Sequence, residues 1–324
     1  MNYKGIVLIS TTLIIISLLT GCGIGNQGMT NQSKEQHKIA GTEVTANQLR
    51  LKWLNVSYAS VSHAENLDIY LPNHIGDGPF PVILNIHGGA FRYGKKEEEL
   101  SNLQAALNRG YAVVTMNYRL SEESRFPAQI QDVKAAIRFL RANASTYHLN
   151  PTKIATWGSS AGGYLAALAG TSGGNQEFEG ADLGNANQSS SVQAVVDWFG
   201  PINFLTMDDQ FKQSGLKGID HNTPNSAESQ LLGDTITNIP DLVKKANPET
   251  YISKDDPPFF IQHGSHDTVV PVQQSTEFAA NLEKVIGKDN VMLEVFDGAK
   301  HMDPKFRTTT NIEKALDFLD KTLK

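Results

Sequence analysis

Residues 153–170 read KIATWGSSAGGYLAALAG. An apolar run, Ile154–Trp157, leads into Gly158-Ser159-Ser160-Ala161-Gly162, and a segment rich in alanine and leucine follows. The first part predicts a buried strand, the last a helix beginning at Ala161. A strand-to-helix turn this sharp holds its central residue strained at the tip, where side chains two positions away on either side would collide. Ser160 has glycine at both of those positions, Gly158 and Gly162, whereas Ser159 would have Trp157 and Ala161. Ser160 is therefore the residue at the tip. Gly163 lets the helix pack close to the strand. The helix start would aim its unbonded N–H groups and positive dipole end at any anion forming near Ser160.

Outward from this turn, apolar runs alternate with helical spacing. Candidate strands are Val56–Val61, Leu67–Leu71, Val82–His87, Ala112–Asn117, Ile154–Trp157, Val192–Trp198, Phe259–His263 and Val291–Phe296. Several are apolar almost throughout, as strands covered on both faces are. Between them, Ile130, Val133, Ile137 and Leu140 share one helix face, with Pro127 suited to the first turn. Phe278, Leu282 and Val285 share another, with Gly287 as the stop, and Ile312, Leu316 and Leu319 mark a C-terminal helix. The pattern predicts an α/β fold with a mostly parallel, eight-stranded sheet flanked by helices. Two stretches interrupt it. Residues 171–191, rich in Gly, Asn and Ser, read as a loop. Residues 203–247, weakly helical and broken by Pro224 and Gly233, read as a small cap-like insertion. Both are expected to supply pocket walls.

The chain has 324 residues, 40% hydrophobic and 19% charged, with a formal net charge of −6. That suits one large globular domain, here residues 47–324, and no basic cluster suggests nucleic acid as a partner. The N-terminus differs. Residues 1–21 carry Lys4 and then an apolar run from Ile6 to Leu19. That run is shorter than the ~20 residues of a spanning helix and fits a signal peptide. The sequence LLTGC ends at Cys22, the only cysteine in the chain, and looks like a bacterial lipoprotein processing site. Residues 22–46 then read as a lipidated cysteine and polar tether, of which about 20 residues would span roughly 25 Å. The expected location is extracytoplasmic, anchored to a bacterial membrane by lipid on Cys22. The plainer reading is an uncleaved apolar anchor with an incidental cysteine.

Gly158-x-Ser160-x-Gly162 between strand and helix matches the nucleophile elbow of serine hydrolases. After an earlier strand stands His87-Gly88-Gly89-Ala90-Phe91, resembling the glycine loop whose amides hold an oxyanion, with alanine in place of a third glycine. The amides of Gly89, Ala90 and Ala161 are the candidates for that hole, with His87 and Gly88 in support. A serine hydroxyl needs a base. With the chain order Ser, acid, His, the acid is Asp267, in a loop after a strand, and the only later histidine is His301. Asp255 and Asp256 are fallback acids, although they precede the strand. Singly, Asp267 could be a turn residue and His301 a solvated loop imidazole. His263, His266 and Asp267 lie close in sequence but lack a His-Glu-x-x-His helix, and no second cluster completes a metal site.

Together with LDIYLP, VVTMNYRLS and FPAQIQDVKAAIRFLR, these motifs run in order over residues 50–323. The chain resembles the α/β-hydrolase fold esterases, of the hormone-sensitive-lipase-like and feruloyl-esterase-like (BD-FAE) branch. The resemblance implies a Ser160–Asp267–His301 triad and hydrolysis of carboxylic esters without a cofactor; together with the expected extracytoplasmic location it points to small acyl or feruloyl groups, free or linked to polysaccharide, as substrates. It leaves open an extracellular peptidase or amidase of the same fold, which would prefer aminoacyl amides. It also leaves open a non-catalytic ligand-binding lipoprotein, in which a reactive phosphonate would not label Ser160. The oligomeric state is not legible.

Overall fold

The computed structural model describes residues 52–72, 76–98 and 103–324. The signal peptide, Cys22 and the tether lie outside the described residues. The strands are β1 (Lys52–Ser57), β2 (Asn66–Tyr70), β3 (Phe80–Ile86), β4 (Ala112–Met116), β5 (Leu149–Ser159), β6 (Ala194–Trp198), β7 (Phe259–Gly264) and β8 (Val291–Phe296). The helices are α1 (Leu103–Asn108), α2 (Ala128–Ala142), α3 (Ala161–Thr171), α4 (Met207–Ser214), α5 (Ala227–Leu232), α6 (Pro240–Ala246), α7 (Gln273–Ile286) and α8 (Thr309–Leu323). The strands form one sheet in the order β1-β2-β4-β3-β5-β6-β7-β8. β1–β2 and β2–β4 pair antiparallel and every other pair is parallel. This is the α/β-hydrolase architecture expected from the sequence.

Alternation along the strands explains their continuous hydrophobicity. Val82, Leu84 and Ile86 of β3 point into one core with α2, α3 and α7. Ile83, with Trp157 of β5 and Trp198 of β6, points into the other with α1 and α8. Side chains in the middle of the sheet, as in β4, β6 and β7, are therefore buried whichever way they point, whereas the edge strands β1 and β8 keep exposed positions such as Leu54 and Met292.

Three expectations need correction. The first strand ends at Ser57, not Val61, because the Glu65 carboxylate accepts the N–H groups of Val61 and Ser62 at 2.6 and 2.9 Å and turns the chain. Val61 is left 62% exposed. In α7, Phe278 and Leu282 are fully buried, but Val285 is 44% exposed and Ile286 takes the inward place in the last turn. Residues 171–191 are not a wall of the site at either end. They start where α3 has carried the chain about 16 Å from Ser160 and finish at the entry to β6, on the amino-terminal edge of the sheet. This segment holds two 3₁₀ turns, Gln176–Phe178 and Ala181–Leu183. It is fastened to α2 through Glu179, which accepts from Lys134 at 2.9 Å and Arg138 at 3.2 Å. Residues 203–247, in contrast, leave the carboxyl-terminal edge after β6 and form α4, α5 and α6.

Candidate active site

The carboxyl-terminal ends of β5, β7 and β8 meet at one place. Ser160 follows β5 directly, with φ 55° and ψ −122°. A non-glycine residue is strained there. The strain is held by its neighbours: Ser160 N–H donates to the Trp198 carbonyl at 2.8 Å, and its own carbonyl accepts from Tyr164 N–H at 3.0 Å. The flanking glycines are required by close approach. A Cβ on Gly158 would strike the Gly162 carbonyl, and one on Gly162 would strike the carbonyls of Ile86 and His87. This contact presses the glycine loop after β3 against the turn, so that a Cβ on Gly88 would lie 3.4 Å from that of Ser160.

His301, in the loop after β8, reaches both partners. Its Nε2 lies 2.9 Å from Ser160 Oγ, and its Nδ1 lies 2.6 Å from Asp267 Oδ2. Because Nδ1 faces a carboxylate it carries the proton, which leaves the Nε2 lone pair to accept from the serine hydroxyl. Asp267 comes from the loop after β7 and is 1% exposed. Its Oδ1 accepts from the N–H groups of Val269 and Val270 at 2.8 and 2.9 Å. His263, 3.3 Å from Oδ2, is a further partner. Burial alone would raise the Asp267 carboxyl, but hydrogen bonds to His263 and His301 outweigh it and hold the group well below the usual carboxylate range. The carboxylate is thus saturated with donors and stays ionised. Asp256, a fallback acid, is instead bonded to Ser253.

The glycine loop is built to hold its amides in place. Gly89 lies at φ 114°, and Ala90 and Phe91 follow at 55° and 61°. Three successive positive φ values curl the loop so that the N–H groups of Arg92 and Tyr93 bond back to the Gly89 carbonyl, at 3.0 and 2.9 Å. Only glycine bears this cheaply. Ala90 and Phe91 bear it because Phe91 is fully buried edge-on against Tyr164, at 5.3 Å between ring centres. No acceptor among the described residues takes the N–H of Gly89 or Ala90. Ala161 opens α3, where an N–H has no partner within its helix. His87 supports the loop from beneath, stacked on Tyr118 at 4.3 Å with Nδ1 2.7 Å from the Gly88 carbonyl. Burial lowers its pKa, so it serves as a neutral strut.

Three neighbours of the site were not picked out from sequence. His263 follows Ser160 but precedes Asp267, so chain order passes over it as the base, and its sequence neighbours suggest at most a metal ligand. Its two ring nitrogens are taken by Ser275 Oγ at 2.7 Å and the Val270 carbonyl at 2.9 Å. Its spacing of four residues from Asp267 was the available signal. Phe199, at φ 46°, sets its ring 4.7 Å from that of His301 and limits how the imidazole can turn. Asp197 lies fully buried behind the turn, with Oδ1 accepting from Gly200 N–H at 3.0 Å and Oδ2 without a partner among the described residues. Burial pushes its carboxyl up to about 6. A Cβ on Gly163 would strike its Oδ1, which is why α3 needs that glycine.

This geometry has relatives. The chain is 33% identical over 246 residues to the probable carboxylic ester hydrolase LipM of Mycobacterium tuberculosis, an alignment covering 74% of this chain and 54% of LipM. The chain spans about half the length of the curated relatives it matches. Among solved structures, it is similar to a truncated carbohydrate esterase from gut microbiota (TM-score 0.78, 33% identity), covering 87% of this chain and 99% of that one. It is also similar to a bifunctional GH43-CE protein of Bacteroides eggerthii (TM-score 0.76, 36% identity), covering 84% of this chain and 35% of that one. The BD-FAE pattern matches residues 67–282, a span that holds the glycine loop, Ser160 and Asp267 and stops short of His301. The chain therefore belongs to the BD-FAE family of α/β-hydrolases.

Proposed function

We propose that this protein is a serine carboxylesterase that removes small acyl groups, acetyl or feruloyl, from carbohydrate esters through an acyl-enzyme. The observation that carries the reading is the line from Ser160 Oγ through His301 to Asp267, at 2.9 and 2.6 Å. Ser160 Oγ attacks the ester carbonyl as His301 Nε2 takes its proton. Asp267 orients the imidazole and stabilises the imidazolium. The amides of Gly89, Ala90 and Ala161 take the charge that develops on the carbonyl oxygen, where a single donor is worth on the order of 3 kcal/mol. His301 returns the proton to the leaving alcohol. Water, deprotonated by the same ring, then releases the acid. The names of the relatives support an ester as substrate and a carbohydrate as its alcohol. The sequence of residues 1–22 supports a place outside the cytoplasm, tethered by lipid on Cys22.

The test compares the protein with its Ser160→Ala variant on p-nitrophenyl acetate, butyrate and octanoate and on an O-acetylated oligosaccharide. Serine-dependent turnover that falls with acyl length, and acetate release from the sugar, are expected. Turnover of aminoacyl amides with no ester cleavage would move the reading to an amidase. Full ester turnover by Ser160→Ala would end it.

A further inference from the structure

The insertion after β6 grips both loops that carry the proposed chemistry. Ile219 N–H donates to the Thr268 carbonyl at 3.0 Å, and His221 Nε2 lies 3.0 Å from the Val269 carbonyl. Thr268 and Val269 directly follow Asp267, and the Val269 N–H is one of the donors to Asp267 Oδ1. On its other side, His221 Nδ1 lies 3.0 Å from Glu228 Oε2, on α5. Two residues along α5, Gln230 accepts from Arg92 Nη1 at 3.2 Å. Arg92 stands two places after Ala90 in the glycine loop. One short helix thus holds the acid loop through His221 and the glycine loop through Arg92.

The partners of His221 fix its protonation. Both ring nitrogens face oxygens that only accept, a carboxylate and a peptide carbonyl. A neutral imidazole has one N–H and would set a lone pair against one of them. The imidazolium satisfies both. Water has little access to the ring and its carboxylate partner, because His221 is 1% exposed and Glu228 4%. Among the described residues, Asp208 of α4 also faces His221; its oxygens accept the N–H groups of His221 and Asn222 at 2.9 and 3.0 Å. The Phe211 ring lies parallel at 6.1 Å and is uncharged. Burial alone would lower the pKa of His221; Glu228 first and then Asp208 outweigh it and raise it.

We propose that His221, held as an imidazolium by Glu228, is a positioning residue for the acid loop, and that its deprotonation at alkaline pH slackens Asp267 and sets the upper edge of the working pH range. The proton passes to solvent. The bare nitrogen then repels either the Val269 carbonyl or the Glu228 carboxylate, and the insertion loosens from the loop. The activity consequence rests on the triad reading above; the protonation of His221 does not.

The test follows two quantities from pH 6 to pH 10 in the wild type, Glu228→Gln and His221→Asn. One is the rate at which a fluorophosphonate labels Ser160, which reads the nucleophile without any substrate. The other is Tm. The wild-type labelling rate is expected to fall in the alkaline range. In Glu228→Gln, whose amide oxygen can still accept from Nδ1 but carries no charge, the fall moves down by about one pH unit or more. In His221→Asn the fall disappears and the rate is low throughout. The Tm advantage of the wild type over Glu228→Gln is present near pH 6 and shrinks as pH rises through the folded pKa of His221. Superimposable wild-type and Glu228→Gln profiles would overturn the proposal. If Glu228→Gln does not fold, a wild-type labelling rate that stays flat to pH 10 overturns it. Absent ester hydrolysis with intact labelling would count against the esterase reading alone.

Discussion

Replacing Asp267 with asparagine tests the geometry at its most sensitive point, because the substitution keeps the shape and changes only which atoms can donate. In the wild type, Oδ1 accepts two backbone N–H groups, from Val269 and Val270 at 2.8 and 2.9 Å, and Oδ2 accepts from His301 Nδ1 at 2.6 Å. Asparagine has one acceptor oxygen. The two backbone donors are fixed by the loop and claim it, which turns the amide nitrogen toward His301. An NH₂ group cannot accept, so His301 Nδ1 must become the acceptor and its proton moves to Nε2. That nitrogen then faces Ser160 Oγ, 2.9 Å away, as a donor and cannot take the serine proton. The wrong tautomer costs about 10⁴-fold in kcat in the serine triad, or roughly 5 kcal/mol of transition-state stabilisation. The assay is kcat on p-nitrophenyl acetate at pH 7.5, with circular dichroism to show that the variant is folded. A folded Asp267→Asn protein within about tenfold of wild type would refute the reasoning, since another group would then be orienting His301.

Other perturbations separate the site from its scaffold. Asp197 has its carboxyl raised to about 6, so the native state holds a proton there that the unfolded chain releases near 4. Stability is therefore lost as pH rises through that window, by about 3 kcal/mol for a shift of this size. The Tm difference between Asp197→Asn and wild type should grow in favour of the variant from pH 4 to pH 7; a constant difference would contradict this. Gly162→Ala drives a methyl group into the carbonyls of Ile86 and His87. It should cost at least ~1–3 kcal/mol in urea unfolding, together with most of the activity. Glu179→Ala leaves Lys134 and Arg138, 0% and 1% exposed, without their shared counter-ion. It should lower stability by ~3–5 kcal/mol with kcat unchanged, because this segment is not at the site; a fall in kcat alone would place it there.

Much of this arrangement was legible because it depends on chain order and local sterics. Gly158 and Gly162 mark which serine stands at the tip, and chain order after Asp267 leaves His301 as the one histidine, while Asp255 and Asp256 stay behind Asp267 as acids because they precede the strand. Continuous apolar runs mark the central strands, since a strand buried on both faces is apolar almost throughout. Other features depend on contacts between residues distant in sequence. Nothing near Glu65 announces that its side chain caps residues 61 and 62 and ends β1 early. The place of Phe199 against His301 arises where the segments following β6 and β8 meet, with Phe199 N–H bonded to the Gln262 carbonyl of β7. His221 lies in a stretch of weak pattern, and its partners come from α5 and from the loop after β7. Position within a loop also misled for 171–191. Its composition reads as a loop expected to wall the pocket, yet Lys134 and Arg138 hold it at the edge of the sheet opposite Ser160.

The central claim is that Ser160 is a nucleophile activated by His301. The most direct measurement is intact-protein mass after treatment with a fluorophosphonate, followed by peptide mapping, on the wild type, Ser160→Ala and His301→Ala. The account predicts a single adduct on the peptide that carries Ser160, none in Ser160→Ala, and strongly slowed labelling in His301→Ala. An adduct on another residue, or a folded wild-type protein that takes no label, would contradict it.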